Sequence, residues 1–197
     1  AGANTSGLVS YPIQTVATAG SASVIYQGTP VIPLANGMID IVGGATGGTV
    51  PLLGAFMGCQ YTDLNGKPTF NNKYPGTAAV KASTPVTGLI SANPDQLFLI
   101  NCNAAAADLI VHANADFATA TSGNATTFIS TAELDVSTVN TTNTLNMRIV
   151  GFEDTPDNDD ATVAGRLAIV LLNNHFYRYN ANGTGCLLYT SPSPRDS

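Results

Sequence analysis

Charge is what this chain has least of. Asp, Glu, Lys and Arg make up 10% of its 197 residues, against about 25% in an ordinary soluble domain. Trp is absent, and there are only two His and three Cys. Each shortage narrows the function. The seven basic residues are scattered singly; Lys67, Lys73 and Lys81 fall in one region but make no run or stripe, so no direct contact with a nucleic-acid backbone is expected. Without Trp, the chain lacks the broadest platform for stacking a sugar ring. No apolar run approaches the roughly 18 residues that cross a bilayer, so no membrane partner is expected. No charged-then-apolar leader opens the chain, and the first residue is Ala1 instead of Met, which reads as a processed or truncated end.

What fills the gap is small and uncharged. Hydrophobic residues reach 44%, and Ala, Thr, Asn and Gly supply much of the rest, as in Ala104-Ala105-Ala106-Ala107 and Val139-Asn140-Thr141-Thr142-Asn143-Thr144. Such a surface hydrogen-bonds to neighbours without the cost of burying charge. It suits a protein that works packed against other subunits.

Turns are dense: Gly43-Gly44, Gly47-Gly48, Asn65-Gly66, Pro75-Gly76, Asn93-Pro94, Ser122-Gly123-Asn124, Asp157-Asn158 and Asn182-Gly183. Short apolar or alternating runs lie between them, which predicts a mainly β domain, an antiparallel sandwich or jelly-roll-like barrel. Strands are expected at 23–26, 38–42, 52–61, 68–70, 86–90, 96–102, 109–111, 131–136, 145–152 and 167–172. Asn65-Gly66 accepts positive φ and should close a tight hairpin between 52–61 and 68–70. Gly54 and Gly58, inside the first of those runs, should mark a bulge or a close approach of another backbone. The stretch 104–127 has no sustained helical period and is expected to be loops around the 109–111 strand. The organisation that follows is a flexible N-terminal arm at 1–22, a single β-rich domain at 23–180 and a tail at 181–197.

Catalytic groups are hard to find. His112 follows Leu109-Ile110-Val111 and is near Asp108 and Asp116; His175 leads into Phe176-Tyr177. Neither stands in a nucleophile-elbow or zinc-protease context, and the expected role of each is a hydrogen-bonded structural imidazole. Glu153-Asp154-Thr155-Pro156-Asp157-Asn158-Asp159-Asp160 holds the oxygen ligands that Ca²⁺ takes, but lacks the spacing, glycine and terminal glutamate of an EF-hand loop. It is expected to be a solvated hairpin between 145–152 and 167–172. Adjacent loop acids also lack the defined separation that glycoside hydrolysis needs. Gly43-Gly44-Ala45-Thr46-Gly47-Gly48 lacks the Gly-Lys-Ser/Thr ending of a phosphate loop and reads as a flexible connection. Cys59 and Cys102, with no CxxC and no paired His, are expected to be buried thiols, with a single bridge between them as the alternative. No catalytic, cofactor or metal residue is therefore expected, and no cofactor.

The last residues are of another kind. Cys186-Leu187-Leu188-Tyr189-Thr190-Ser191-Pro192-Ser193-Pro194-Arg195-Asp196 resembles a translated sequencing-library adapter, so the natural chain is expected to be cut near Gly185 in a metagenomic assembly, and Cys186 drops out of the cysteine count.

An ordered series of short segments resembles a family of virion structural proteins from marine and freshwater tailed phages, cyanophages among them. The carriers are Ile25-Tyr26-Gln27-Gly28-Thr29-Pro30-Val31, then Leu52-Leu53-Gly54-Ala55-Phe56-Met57-Gly58-Cys59-Gln60-Tyr61-Thr62-Asp63, Lys73-Tyr74-Pro75-Gly76, Asn93-Pro94-Asp95-Gln96-Leu97-Phe98, Asn146-Met147-Arg148-Ile149-Val150-Gly151-Phe152 and Leu172-Asn173-Asn174-His175. The resemblance implies a non-enzymatic head-decoration or cement subunit on the phage surface, assembled in the host cytoplasm and in contact with the major capsid protein and with copies of itself. It brings no catalytic residue. A formal net charge of −6 favours an outward position over a lining beside packaged nucleic acid. Two other readings compete. Neighbouring tail genes or an upstream signal peptide would point to a tail or fibre subunit or a secreted adhesion module. A cleft joining His112 or His175 to carboxylates would point to a carbohydrate-active β-sandwich enzyme.

Overall fold

The turn-punctuated runs fold into two antiparallel sheets arranged as a sandwich, the class the sequence predicts. In this computed structural model the described residues are 7–14, 24–42 and 50–178. The connection at 43–49, the tail from 179 onward and most of the expected arm lie outside them. The first sheet carries β1 (Leu8–Pro12), β2 (Pro30–Pro33), β3 (Ile39–Ile41), β4 (Gly54–Thr62), β5 (Pro68–Asn71) and β6 (Thr87–Ser91), in the order β1-β6-β4-β2-β3 with β5 also on β4. The second carries β7 (Leu97–Asn101), β8 (Asn114–Phe117), β9 (Leu134–Asn140), β10 (Met147–Phe152) and β11 (Leu167–Leu172), in the order β7-β11-β10-β8-β9.

Each sheet curls until its outer strands touch at one point. Ile13, just past β1, bridges Ile39 of β3, and Cys102, just past β7, bridges Leu134 of β9. Each curl encloses a core of its own. Val31, Ile39, Phe56, Tyr74 and Ile90 belong to the first; Leu134, Met147, Ile149 and Val170 belong to the second. Strand β2 lies between the two, with Val31 in the first core and Ile32 packed against the second. A strand covered on both faces has no reason to alternate with polar residues, which accounts for the run Pro30-Val31-Ile32-Pro33.

The glycines of β4 behave as expected. Met57 is the extra residue between the rungs Phe56–Ile90 and Gly58–Leu89, so the strand changes parity there. Phe56, Cys59 and Tyr61 consequently share the first core although the outer two are five positions apart. At Gly54 a Cβ would stand 2.0 Å from the Ser91 carbonyl oxygen. The hairpin to β5 also forms: Asp63 Oδ1 accepts the Asn65 and Lys67 amides at 2.9 and 2.8 Å, and Gly66 takes φ +85°.

Several expected elements are corrected. Within the proposed arm 1–22, Leu8–Pro12 is strand β1, paired with β6 from Leu8–Ser91 to Pro12–Thr87. At 24–26 no strand ladder forms: Ile25, buried in the first core, makes one bridge to Tyr74, and Gln27 makes one to Ile129. The 109–111 run is not a strand either. Asp108–Ile110 is a 3-10 turn with Leu109 87% exposed, and His112 reverses the chain at φ 74°. The strand comes later, as β8, where Asn114 and Asp116 are buried polar residues held by hydrogen bonds: Asn114 Nδ2 donates to Thr142 O at 3.0 Å, and Asp116 Oδ1 accepts from the Asn146 amide at 3.2 Å. The strand expected at 131–136 starts and ends later, at Leu134–Asn140.

Candidate functional site

The two histidines occupy separate places. His112 is exposed, its amide bonded to Ile149 O at 2.8 Å. His175, just after β11, is 1% exposed and bridges Leu52. Its Nδ1 accepts the Tyr177 amide at 3.0 Å, which leaves the ring proton on Nε2. Burial first, then the Arg178 guanidinium, push its pKa down to about 4, while the Leu53 backbone and the Asp95 carboxylate act in the opposite sense. It is a neutral, enclosed imidazole. Cys59 and Cys102 are free, buried and in different cores. Burial pushes the two thiols up to about 12 and about 11, respectively, so neither presents a thiolate.

The acidic segment is a loop between β10 and β11, organised by two buried residues. Asn158 donates to Glu153 O and Leu167 O at 2.8 and 3.0 Å and accepts the Leu167 amide at 2.6 Å, which closes the loop neck. Arg166 donates through Nε to Asn158 O at 3.1 Å and through Nη1 to Ala106 O at 2.8 Å; Nη1 also pairs with Asp108 at 2.7 Å, and the guanidinium lies 3.8 Å above the Phe152 ring. Asp160 turns its carboxylate to Thr162, whose hydroxyl and amide hold its pKa below the usual range. Among the described residues, no three His, Cys, Asp or Glu side chains converge as a metal site.

Two apolar features remain on the second sheet. The first is the outward face of β7, β11 and β10. In register, Leu97 stands beside Leu171 and Leu99 beside Ile169, with Asn101 beside Leu167. Leu97 and Leu99 are 48% and 57% exposed, and Val150, the extra residue at a bulge in β10, is 40% exposed. Arg148, opposite Leu171, is the one charged side chain in these rungs. The second feature is a slot of ≈ 220 Å³ between the sheets. One wall is Phe98, Ile100, Met147 and Val170 from the second sheet; the other is Ala55 and Met57 of β4, with segment 129–132 along the side. No charged residue lines it.

Sequence reasoning missed both. Leu97-Phe98-Leu99-Ile100 and Leu167-Ala168-Ile169-Val170-Leu171-Leu172 are unbroken apolar runs, which read as ordinary core strands. Among the described residues no helix is long and apolar enough to cross a membrane. Compared with known protein families, with curated proteins and with solved structures, the chain matches none.

Proposed function

We propose that the protein is a non-enzymatic structural subunit of a tailed-phage particle, seated on the outside of the head against the major capsid protein and copies of itself. The observation that carries this reading is the outward face of β7, β11 and β10. It is built from cross-strand rungs and offers Leu97, Leu99 and Val150 about half-exposed, with Arg148 the one charged side chain in those rungs. Contiguous apolar surface of this kind on a folded domain marks a contact with another macromolecule. Completing the burial of Leu97 and Leu99 is worth about 1 kcal/mol each. That is modest for one contact, but a lattice multiplies it through avidity. The low charge content and the segment resemblance point to the same role.

Cryo-electron microscopy of virions from a phage carrying a close relative tests the assignment. Density for this chain on the outer head surface, with β7 and β11 facing the capsid shell or a neighbouring copy, is the expected result. Density on the tail, or none in the particle, refutes it. The double variant Leu97→Asp, Leu99→Asp should keep its circular dichroism spectrum and lose occupancy on heads by at least roughly tenfold, the equivalent of about 1.4 kcal/mol.

A further inference from the structure

The ≈ 220 Å³ slot between the sheets interrupts close packing, whereas protein interiors keep few voids larger than a water molecule. Its floor is buried: Met147, Val170 and Leu172 belong to the second core. Its mouth is open, because Leu99 and Ile129 line it and are more than half exposed. Among the described residues its lining carries no charge, and Gln27 and Ser130 bring the only polar side chains. Those two lie together beside Ile129, with the Ser130 amide bonded to Gln27 O at 2.7 Å. The slot is therefore apolar at depth and polar, but neutral, at its entrance.

Two of the chain's three methionines, Met57 and Met147, stand in its opposite walls. Met57 is the extra residue of the β4 bulge, and bulges re-aim side chains in this way next to functional sites. A thioether side chain is unbranched and polarisable, so it adapts its shape to whatever lies against it. Water suits this space poorly. About seven molecules at ~30 Å³ each would fill it, with few partners for them, and an apolar cavity of ~150 Å³ stays dry and takes up benzene instead. A charged ligand is disfavoured as well, since no counter-charge meets it inside. We infer that the slot binds a small neutral amphiphile, with its alkyl chain between Met57 and Met147 and an uncharged hydroxyl or amide head at Gln27 and Ser130. At roughly one carbon per ~30 Å³, the chain has about seven carbons.

Methionine methyl NMR on the full chain, titrated with straight-chain 1-alkanols at pH 7, tests this. With 1-hexanol, Met57 and Met147 should shift along one saturating curve, while Met38, in the turn between β2 and β3 and outside the slot, should not move. Affinity should rise about threefold to fourfold per methylene from butanol to heptanol, then level off once the slot is full. Hexanoate, a carboxylate at pH 7, should bind at least roughly tenfold more weakly than 1-hexanol. Ala55→Leu and Ala132→Leu fill the slot, and each should weaken hexanol binding at least roughly tenfold, with an unchanged Met38 signal as the folding control. The chain-length series needs no variant and decides the question should either one fail to fold. Met57 and Met147 signals that ignore hexanol overturn the proposal. So does equal binding of hexanoate, or affinity that climbs unabated through decanol, because the alkyl chain then lies on open surface.

Discussion

Replacing Arg166 by Ala removes the pin that joins the acidic loop, the 3-10 turn at Asp108–Ile110 and Phe152. The guanidinium is nearly buried and donates to two backbone carbonyls, Asn158 O and Ala106 O. A buried acceptor left without its donor costs about 1–3 kcal/mol, and the lost stacking on Phe152 adds about 1 kcal/mol. Relief from desolvating the cation offsets part of this, which leaves a net loss of about 3 kcal/mol. The ion pair contributes little to that sum. Although Arg166 and Asp108 stand 2.7 Å apart, the Asp108 side chain is 80% exposed, and a partner so solvated gives at most about 1 kcal/mol. Arg166→Ala should therefore lower Tm by about 6–12 °C at the 2–4 °C per kcal/mol of a domain this size, whereas Asp108→Ala should lower it by no more than about 4 °C. Thermal unfolding followed by circular dichroism, with urea titration for ΔG, reads both. Equal losses from the two substitutions would refute the assignment of the energy to the carbonyl bonds, and a loss under about 1 kcal/mol for Arg166→Ala would refute the pin altogether.

Gly54→Ala forces a Cβ to within 2.0 Å of the Ser91 carbonyl oxygen, so its urea midpoint should collapse by the equivalent of more than about 4 kcal/mol; at Gly151 a Cβ meets nothing within 4 Å, and Gly151→Ala should stay within about 0.5 kcal/mol. For His175 the folded pKa, about 4, lies below the unfolded value of about 6.5. The unfolded chain therefore takes up the proton first, and the group's contribution, intact above about pH 6.5, is lost progressively as pH falls toward 4. Between pH 7 and pH 5 the urea midpoint of the native protein should fall more than that of His175→Asn; parallel curves would show that His175 titrates normally. Cys59 and Cys102, with pKa values raised by burial, should react with a thiol reagent at pH 8 only after denaturant is added, as followed by mass spectrometry, and labelling in the folded state would contradict their place in the two cores.

Much of the fold was legible because its signals are local. The Asn65-Gly66 hairpin, the β10–β11 pair and the strand at β4 rest on turn chemistry and apolar runs that need no knowledge of distant neighbours. What escaped depends on distant neighbours. Strand β8 is marked by Asn114 and Asp116, buried only because Thr142, Arg148 and Asn146 supply their hydrogen bonds, whereas Leu109-Ile110-Val111, the better strand by composition, is bent away by the turn that brings Asp108 to Arg166. Strand β2 was missed because Pro30 and Pro33 frame it, and only the second core beneath Ile32 explains its unbroken apolar run. Gly58 signalled a possible bulge in β4, but parity could not be read through Met57, since composition does not show which residue is the extra one.

The same comparison bears on function. An antiparallel strand with one face in water alternates polar with apolar; one covered on both faces does not. β2 is unbroken and lies between two cores. β7 and β11 are equally unbroken, yet only Phe98, Ile100, Ala168, Val170 and Leu172 of their residues pack into the second core. Among the described residues, Leu97, Leu99, Ile169 and Leu171 on the other face meet no second layer, and Leu97 and Leu99 remain half in water. Their sequence is thus written for a cover that the described residues do not contain. With about half their surface still in water, Leu97 and Leu99 realise only part of the burial open to them, where Thr or Lys would protect the edge better. The apolar choice acquires a physical reason when another surface closes over it, which the proposed place in an assembly would supply.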